Sequence, residues 1–155
     1  KFISKIQTIG FMKKIAWKRA RTRFASGMAM ALKSGLDMDE SLSLSEKLTD
    51  YEPLKMKIQQ CQEQMKEGEI FPKALKEAHI FDGMQERLMI IGYETGAVDE
   101  VMEQAADLYQ KQLQDQIQKM IAVLEPTLVG ILCVIVGIIL LSVMLPLVGI
   151  MAGIG

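Results

Sequence analysis

The chain has 155 residues, half of them hydrophobic and 6% aromatic, with a formal net charge of −1. That length admits one domain and one further segment, and the bias toward Ala, Leu, Met, Lys, Glu and Gln favours an all-α fold over a β architecture. Neutrality is only an average: residues 1–36 carry nine bases and no acid, which leaves nine bases against nineteen acids in residues 37–155, a net of −10.

In chain order, residues 1–15 read as a basic juxtamembrane or linker segment. A block of this charge beside a membrane segment suggests contact with anionic lipid; the plainer alternative is a solvated basic helix face. The first helix is expected from about Phe11 to Lys33, because Phe24, Met28, Ala31 and Leu32 recur at helical spacing and Gly35 suits a left-handed stop. Asp37 with Glu40 three residues on predicts a capped second helix to about Leu48. Pro53 fits the first turn of a third helix that ends near Gly68. Phe71-Pro72 opens a short fourth helix to about Ala78. Asp82 with Gln85 reads as a second cap signal, for a fifth helix that runs to Thr95 and stops at Gly96.

The sixth helix starts near Val98, with Asp99, Glu100 and Glu103 suited to the positive end of its dipole. Val98, Val101, Ala105 and Leu108, then Leu113, Ile117, Met120 and Leu124, keep a three-four spacing with one stutter near Gln112. Asp107–Lys111 and Asp115–Lys119 are acid-first pairs one turn apart. Residues 16–124 are thus expected to form a bundle of about six helices. Pro126 is expected to kink or restart the chain at a membrane interface.

Pro126 to Gly155 contains no charged side chain. A spanning helix needs about 20 mostly apolar residues, and Leu128 to Leu145 supplies them. Residues 125–155 are therefore read as a transmembrane helix and tail. Lys111 and Lys119 precede the span and no charge follows Glu125, so the positive-inside tendency puts the helical domain in the cytoplasm and the C-terminus outside. Cys61 lies in the polar part and Cys133 within the apolar run, which argues against a mutual disulfide and fits a reducing compartment. No secretory signal pattern is visible at the N-terminus.

Catalytic signatures are missing. There is no phosphate loop and no CxxC, and a single histidine, His79, excludes a multi-histidine metal site; it reads as a helix-end or turn residue. An enzyme is not expected, nor is a cofactor, a metal or a nucleic-acid partner. The motif that stands out is Gly92-Tyr93-Glu94-Thr95-Gly96. Its glycines permit close backbone approach and a sharp turn. Glu94 near a helix C-terminus opposes the dipole and calls for a partner: the amides of the next helix, a basic side chain or another subunit. Glu125-Pro126 sets an acid at the membrane boundary, either hydrated or paired with a basic residue of a neighbouring subunit or helix. Gly130, Gly137, Gly149 and Gly153 offer small-residue spacing for helix association in lipid. The twelve methionines suit adaptable core filling.

The order of these features resembles the type II secretion F family, which includes the type IV pilus inner-membrane platform and the competence pseudopilus platform. The resemblance rests on Gly10, Arg23-Phe24, Ser34-Gly35, Gly68, Phe81, Gly92 to Gly96, Glu125-Pro126 and Pro146, in order along nearly the whole chain. Tyr93 departs from it, standing where the family usually has the first Glu of a Gly-Glu-Glu-Thr-Gly-like run. The resemblance implies a non-enzymatic, oligomeric platform in the bacterial inner membrane that couples a cytoplasmic hexameric ATPase to the assembly of pilin or pseudopilin subunits. It also implies that the chain corresponds to the second of two cytoplasmic repeats plus the last spanning helix, within a longer protein. A membrane-anchored helical adaptor or regulatory receptor fragment is the competing expectation.

Overall fold

The computed structural model describes residues 2–154. Among these the architecture is all-α: α1 Phe2–Lys33, α2 Met38–Lys47, α3 Glu52–Lys66, α4 Phe71–Glu77, α5 Gly83–Thr95 and α6 Val98–Ile154. Two compact units divide the chain, residues 1–113 and residues 114–155.

In the first unit the punctuation of the sequence sets the helix ends. Asp37 caps α2 by accepting from the Glu40 amide at 2.8 Å, one of the donors that a helix start leaves free. Pro53 and Pro72 stand in the first turns of α3 and α4, where a missing amide costs no bond. His79 follows α4 with a left-handed φ of 53°, and its carbonyl accepts from Lys57 Nζ at 3.3 Å. One expected boundary moves. α1 begins at Phe2, nine residues before Phe11. Gly10 is the one poor helix former in that stretch, and its cost of about 1 kcal/mol is below what ends a 32-residue helix.

The core gathers one face of each helix: Phe24 and Met28 from α1, Leu42 from α2, Leu54, Ile58 and Cys61 from α3, Phe71 and Leu75 from α4, Met89 from α5, and Met102, Ala105 and Tyr109 from α6. Burying each large side chain contributes roughly 1.5–3 kcal/mol. Leu108, expected on this face, is exposed, and Tyr109 takes the place beside the core. The α6 stripe thus turns by one residue, because the aromatic ring fills the space opposite Phe81. The ring centroids are 5.6 Å apart, and Phe81 stacks in turn against Phe24 at 6.0 Å.

Asp82 departs most from its expected role. It occupies the N-cap position of α5 but makes no side-chain cap bond. Its carboxylate instead accepts from Arg21 Nη1 at 3.0 Å, while its amide donates to the Tyr109 hydroxyl at 3.2 Å. The Arg21 guanidinium lies 3.7 Å from the centre of the Tyr109 ring. The carboxylate answers the buried guanidinium, which is costly to leave unpaired, and the cap is left unmade. The expected Asp107–Lys111 and Asp115–Lys119 pairs do not close; Glu69–Lys73, at 2.9 Å, is the one-turn pair that forms among the described residues.

The second unit is α6 beyond Leu113. Helix continues through Pro126 and Pro146, so Pro126 does not restart the element. Each proline removes one backbone bond, and the flanking turns carry the rest. Thr127 and Ser142 satisfy their hydroxyls within the helix, donating at 2.8 Å to the Val123 and Ile138 carbonyls.

Cys61 has no exposed surface, and burial pushes its thiol up to about 12; burial likewise raises the Tyr109 phenol above its ordinary value of 10. Both groups are held neutral in the fold. They contribute stability that is complete below their unfolded values, near 9 and 10, and lost as pH climbs toward the folded ones. Detergent-solubilised protein, followed by the fluorescence of Trp17, is therefore expected to lose stability between pH 9 and about 12. Cys61→Ala is expected to weaken that loss, and in a Cys133→Ala background the native protein is expected to resist thiol reagents at pH 8.

Candidate functional site

Two surfaces carry the residues singled out by the sequence: the corner between α5 and α6 with the groove beside it, and the apolar length of α6.

The corner is built from Gly92 to Gly96. Gly96 ends α5 with a left-handed φ of 75°, a conformation that costs an L-residue roughly 1–2 kcal/mol. The Ala97 amide then donates back to the Gly92 carbonyl at 2.7 Å. Gly92 is buried where α5 meets α6. A Cβ there would stand 2.6 Å from Val101 Cγ2 and 3.3 Å from the Ala97 carbonyl oxygen, so the close approach requires glycine. Thr95 points its hydroxyl inward along the helix, donating to the Ile91 carbonyl at 2.9 Å. Three of the five residues thus fix the corner, and the other two face outward. Tyr93 and Glu94 are exposed, and Glu94 makes no ion pair among the described residues. Among the described residues no amide of the next helix and no basic side chain is bonded to it.

Beside the corner lies an open, largely apolar groove of about 550 Å³ between α4 and α5, lined by Ile70, Pro72, Lys73, Lys76, His79 and Ile90 among others. The Lys73 ammonium holds the Glu69 carboxyl below the usual carboxylate range, so that pair stays charged along the rim.

The other expected site residues separate by role. Phe24 and Phe81 are core residues in ring contact. Gly35 and Gly68 take the left-handed turns after α1 and α3. Glu125, Pro126 and Pro146 are exposed along the second unit. Sequence reasoning missed Arg21 and Tyr109, and read Asp82 as the cap of α5 in place of a partner to Arg21. The signal for Arg21 was its spacing, three residues before Phe24 and seven before Met28, which puts a cation on the core face. Among the described residues no cluster of His, Cys, Asp or Glu is arranged to hold a metal ion.

The apolar length is uncovered. None of the most apolar stretch of α6 is buried within the structure, and large side chains from Ile121 to Met151 are exposed throughout. A buried core helix would show the opposite, and a signal sequence would stand near the other end. Bare apolar surface on this scale belongs in lipid.

Comparison with known proteins agrees. The sequence profile described as "Type II secretion system (T2SS), protein F" matches residues 24–146. The chain is 28% identical over 131 residues to the type IV pilus assembly protein PilC of Thermus thermophilus, covering 84% of this chain and 32% of the relative. It is 26% identical over 134 residues to the type 4 fimbrial assembly protein PilC of Pseudomonas putida, covering 86% and 33%. To the type II secretion system protein F of Aeromonas hydrophila it is 26% identical over 125 residues, covering 81% and 32%. The chain spans about a third of the length of the curated relatives it matches.

The corner makes a direct prediction. Gly92→Ala is expected to destabilise the bundle by about 1–3 kcal/mol through the clash with Val101, whose branched side chain has little freedom to yield. Gly92→Ala with Val101→Ala is expected to cost less than the two single losses combined. Strict additivity in denaturant titrations would contradict the steric account.

Proposed function

Because this chain belongs to the type II secretion system protein F family, we propose that it is the last repeat and last membrane helix of an assembly platform for a type IV pilus, a competence pseudopilus or a type II secretion machine. The protein is all-α with a transmembrane helix. In this reading it sits in the bacterial inner membrane, with the helical bundle in the cytoplasm and the C-terminus outside. It acts without chemistry of its own: the bundle docks a cytoplasmic assembly ATPase, and the apolar helix packs against lipid, sister subunits and the apolar segment of a pilin or pseudopilin.

The observation that carries this reading is the α5–α6 corner. Gly92, Thr95 and Gly96 are spent on making it rigid, and Glu94 is left outside without an ion pair among the described residues. A carboxylate held at a helix C-terminus against the dipole is an unfavourable arrangement by itself and a favourable one opposite a basic partner surface. The groove beside it adds apolar contact area. Glu125 and Pro126 mark where the helix enters the membrane.

The adaptor alternative required the ordered motifs to be fortuitous; a family match over residues 24–146 argues against that.

The test is co-purification of the full-length protein with the motor ATPase. Wild type is expected to retain the motor. Glu94→Lys is expected to weaken retention roughly tenfold or more, by setting like charges face to face, with bundle stability unchanged within about 0.5 kcal/mol, as for exposed substitutions in general. Unaltered retention by Glu94→Lys would remove the corner from the docking surface. Fibre extrusion by cells that lack the protein would remove the platform role.

A further inference from the structure

The first turns of α1 are neither core nor ordinary solvated surface. Every residue from Ile3 to Gly10 whose burial is described is exposed, and the helix first buries a residue at Ala20. Within that free length Ile3, Ile6, Ile9 and Met12 are 52% to 74% exposed. Each step of three residues falls about 60° short of a full turn, so the four cover one half of the helix cylinder. An apolar half-cylinder without a partner is not stable in water on its own account.

Its charge is one-sided. Lys5, Lys13, Lys14, Lys18 and Arg19 accompany it, and the first acid of the chain is Asp37. Lys5 and Lys13 stand among the apolar residues, where long stems let ammonium groups reach outward from an apolar contact.

Its position within the first unit supplies the third observation. Arg21 meets Tyr109, and Lys33 pairs with Glu103. α1 and the bundle portion of α6 therefore run in opposite senses. The first turns of α1 thus lie toward the end of the first unit at which the chain leaves it, at Leu113. The charge-free run begins thirteen residues further along the chain, at Pro126.

We infer that the first turns of α1 form a second membrane contact, an amphipathic element that inserts Ile3, Ile6, Ile9 and Met12 into the headgroup boundary of an anionic lipid surface. The inference rests on α6 being a membrane span. Apolar burial and attraction to anionic headgroups act together in such elements, and each lysine near the surface strengthens partitioning roughly fivefold. A free bundle would gain little from either alone. Tethering by the span holds the stripe at high local concentration beside the bilayer, so weak insertion suffices.

The test uses the full chain in nanodiscs of phosphatidylcholine with and without phosphatidylglycerol. An environment-sensitive fluorophore is placed on Ile6→Cys, Ile9→Cys or, as the opposite-face control, Gln7→Cys. Native Cys133 is labelled separately to report the span and is replaced by Ala elsewhere. Lipid-borne quenchers are expected to act on Cys133 in both lipid mixtures, and on positions 6 and 9 far more than on 7 only when phosphatidylglycerol is present. Lys13→Gln with Lys14→Gln is expected to lower the inserted population by roughly an order of magnitude. Quenching of Cys133 without quenching at 6 and 9 would overturn this inference and leave the span intact. No quenching at Cys133 would overturn both. A blue shift at 6 and 9 that persists in detergent and fades on dilution would assign the stripe to a second copy of the chain and overturn the lipid contact.

Discussion

The bundle turns on Arg21. A guanidinium taken out of water is costly unless it is answered on several sides, and here it is answered by two separate elements. The Tyr109 ring lies 3.7 Å beneath it, and the Asp82 carboxylate receives Nη1 at 3.0 Å. Asp82 is itself tied to Tyr109 through its amide. The cluster therefore joins α1, the start of α5 and the bundle part of α6, three elements that are far apart in sequence. Because the Asp82 side chain is 59% exposed, the ion pair is screened and worth little alone. The contact with the ring is the enclosed part, where a desolvated cation–π pair is worth about 2 kcal/mol. Phe24 and Phe81 extend the same stack into the core.

That junction is what gives the α5–α6 corner a fixed place. α5 is anchored at its beginning by Asp82 and at its end by Gly92 against Val101. Around the second of those anchors its outer face carries Ile90, Ile91, Tyr93 and Glu94 as a presented surface and not as a loose loop. The second unit obeys a different rule. Its side chains find no cover within the chain, its hydroxyls are satisfied inside the helix, and its two prolines are carried without a break. Water shapes the first unit and lipid the second.

What the sequence disclosed follows the range of the interactions. Asp37 caps α2 as its spacing with Glu40 implies, because both partners lie within one turn. Gly96 stops α5 for the same local reason, and the charge-free run from Pro126 announces itself by length alone. Asp82 carries an equally good local signal and does otherwise, because Arg21, 61 positions away, competes for its carboxylate. The register of α6 shifts from Leu108 to Tyr109 since only the fold places Phe81 opposite. The early start of α1 was hidden because the sequence before Phe11 has no core to face. The motif from Gly92 to Gly96 was legible as a corner, whereas which of its residues would be spent on geometry and which presented outward depended on where Val101 lies.

A double-mutant cycle between Arg21 and Tyr109 measures the junction most directly. Arg21→Met keeps much of the aliphatic stem and removes the charge; Tyr109→Leu keeps an apolar side chain and removes the ring. Unfolding of the bundle in detergent by denaturant, for wild type, both single variants and the pair, is predicted to give a coupling of about 1–2 kcal/mol. Additive losses, with coupling within about 0.3–0.5 kcal/mol of zero, would contradict the claim that this contact holds α1 and α6 together.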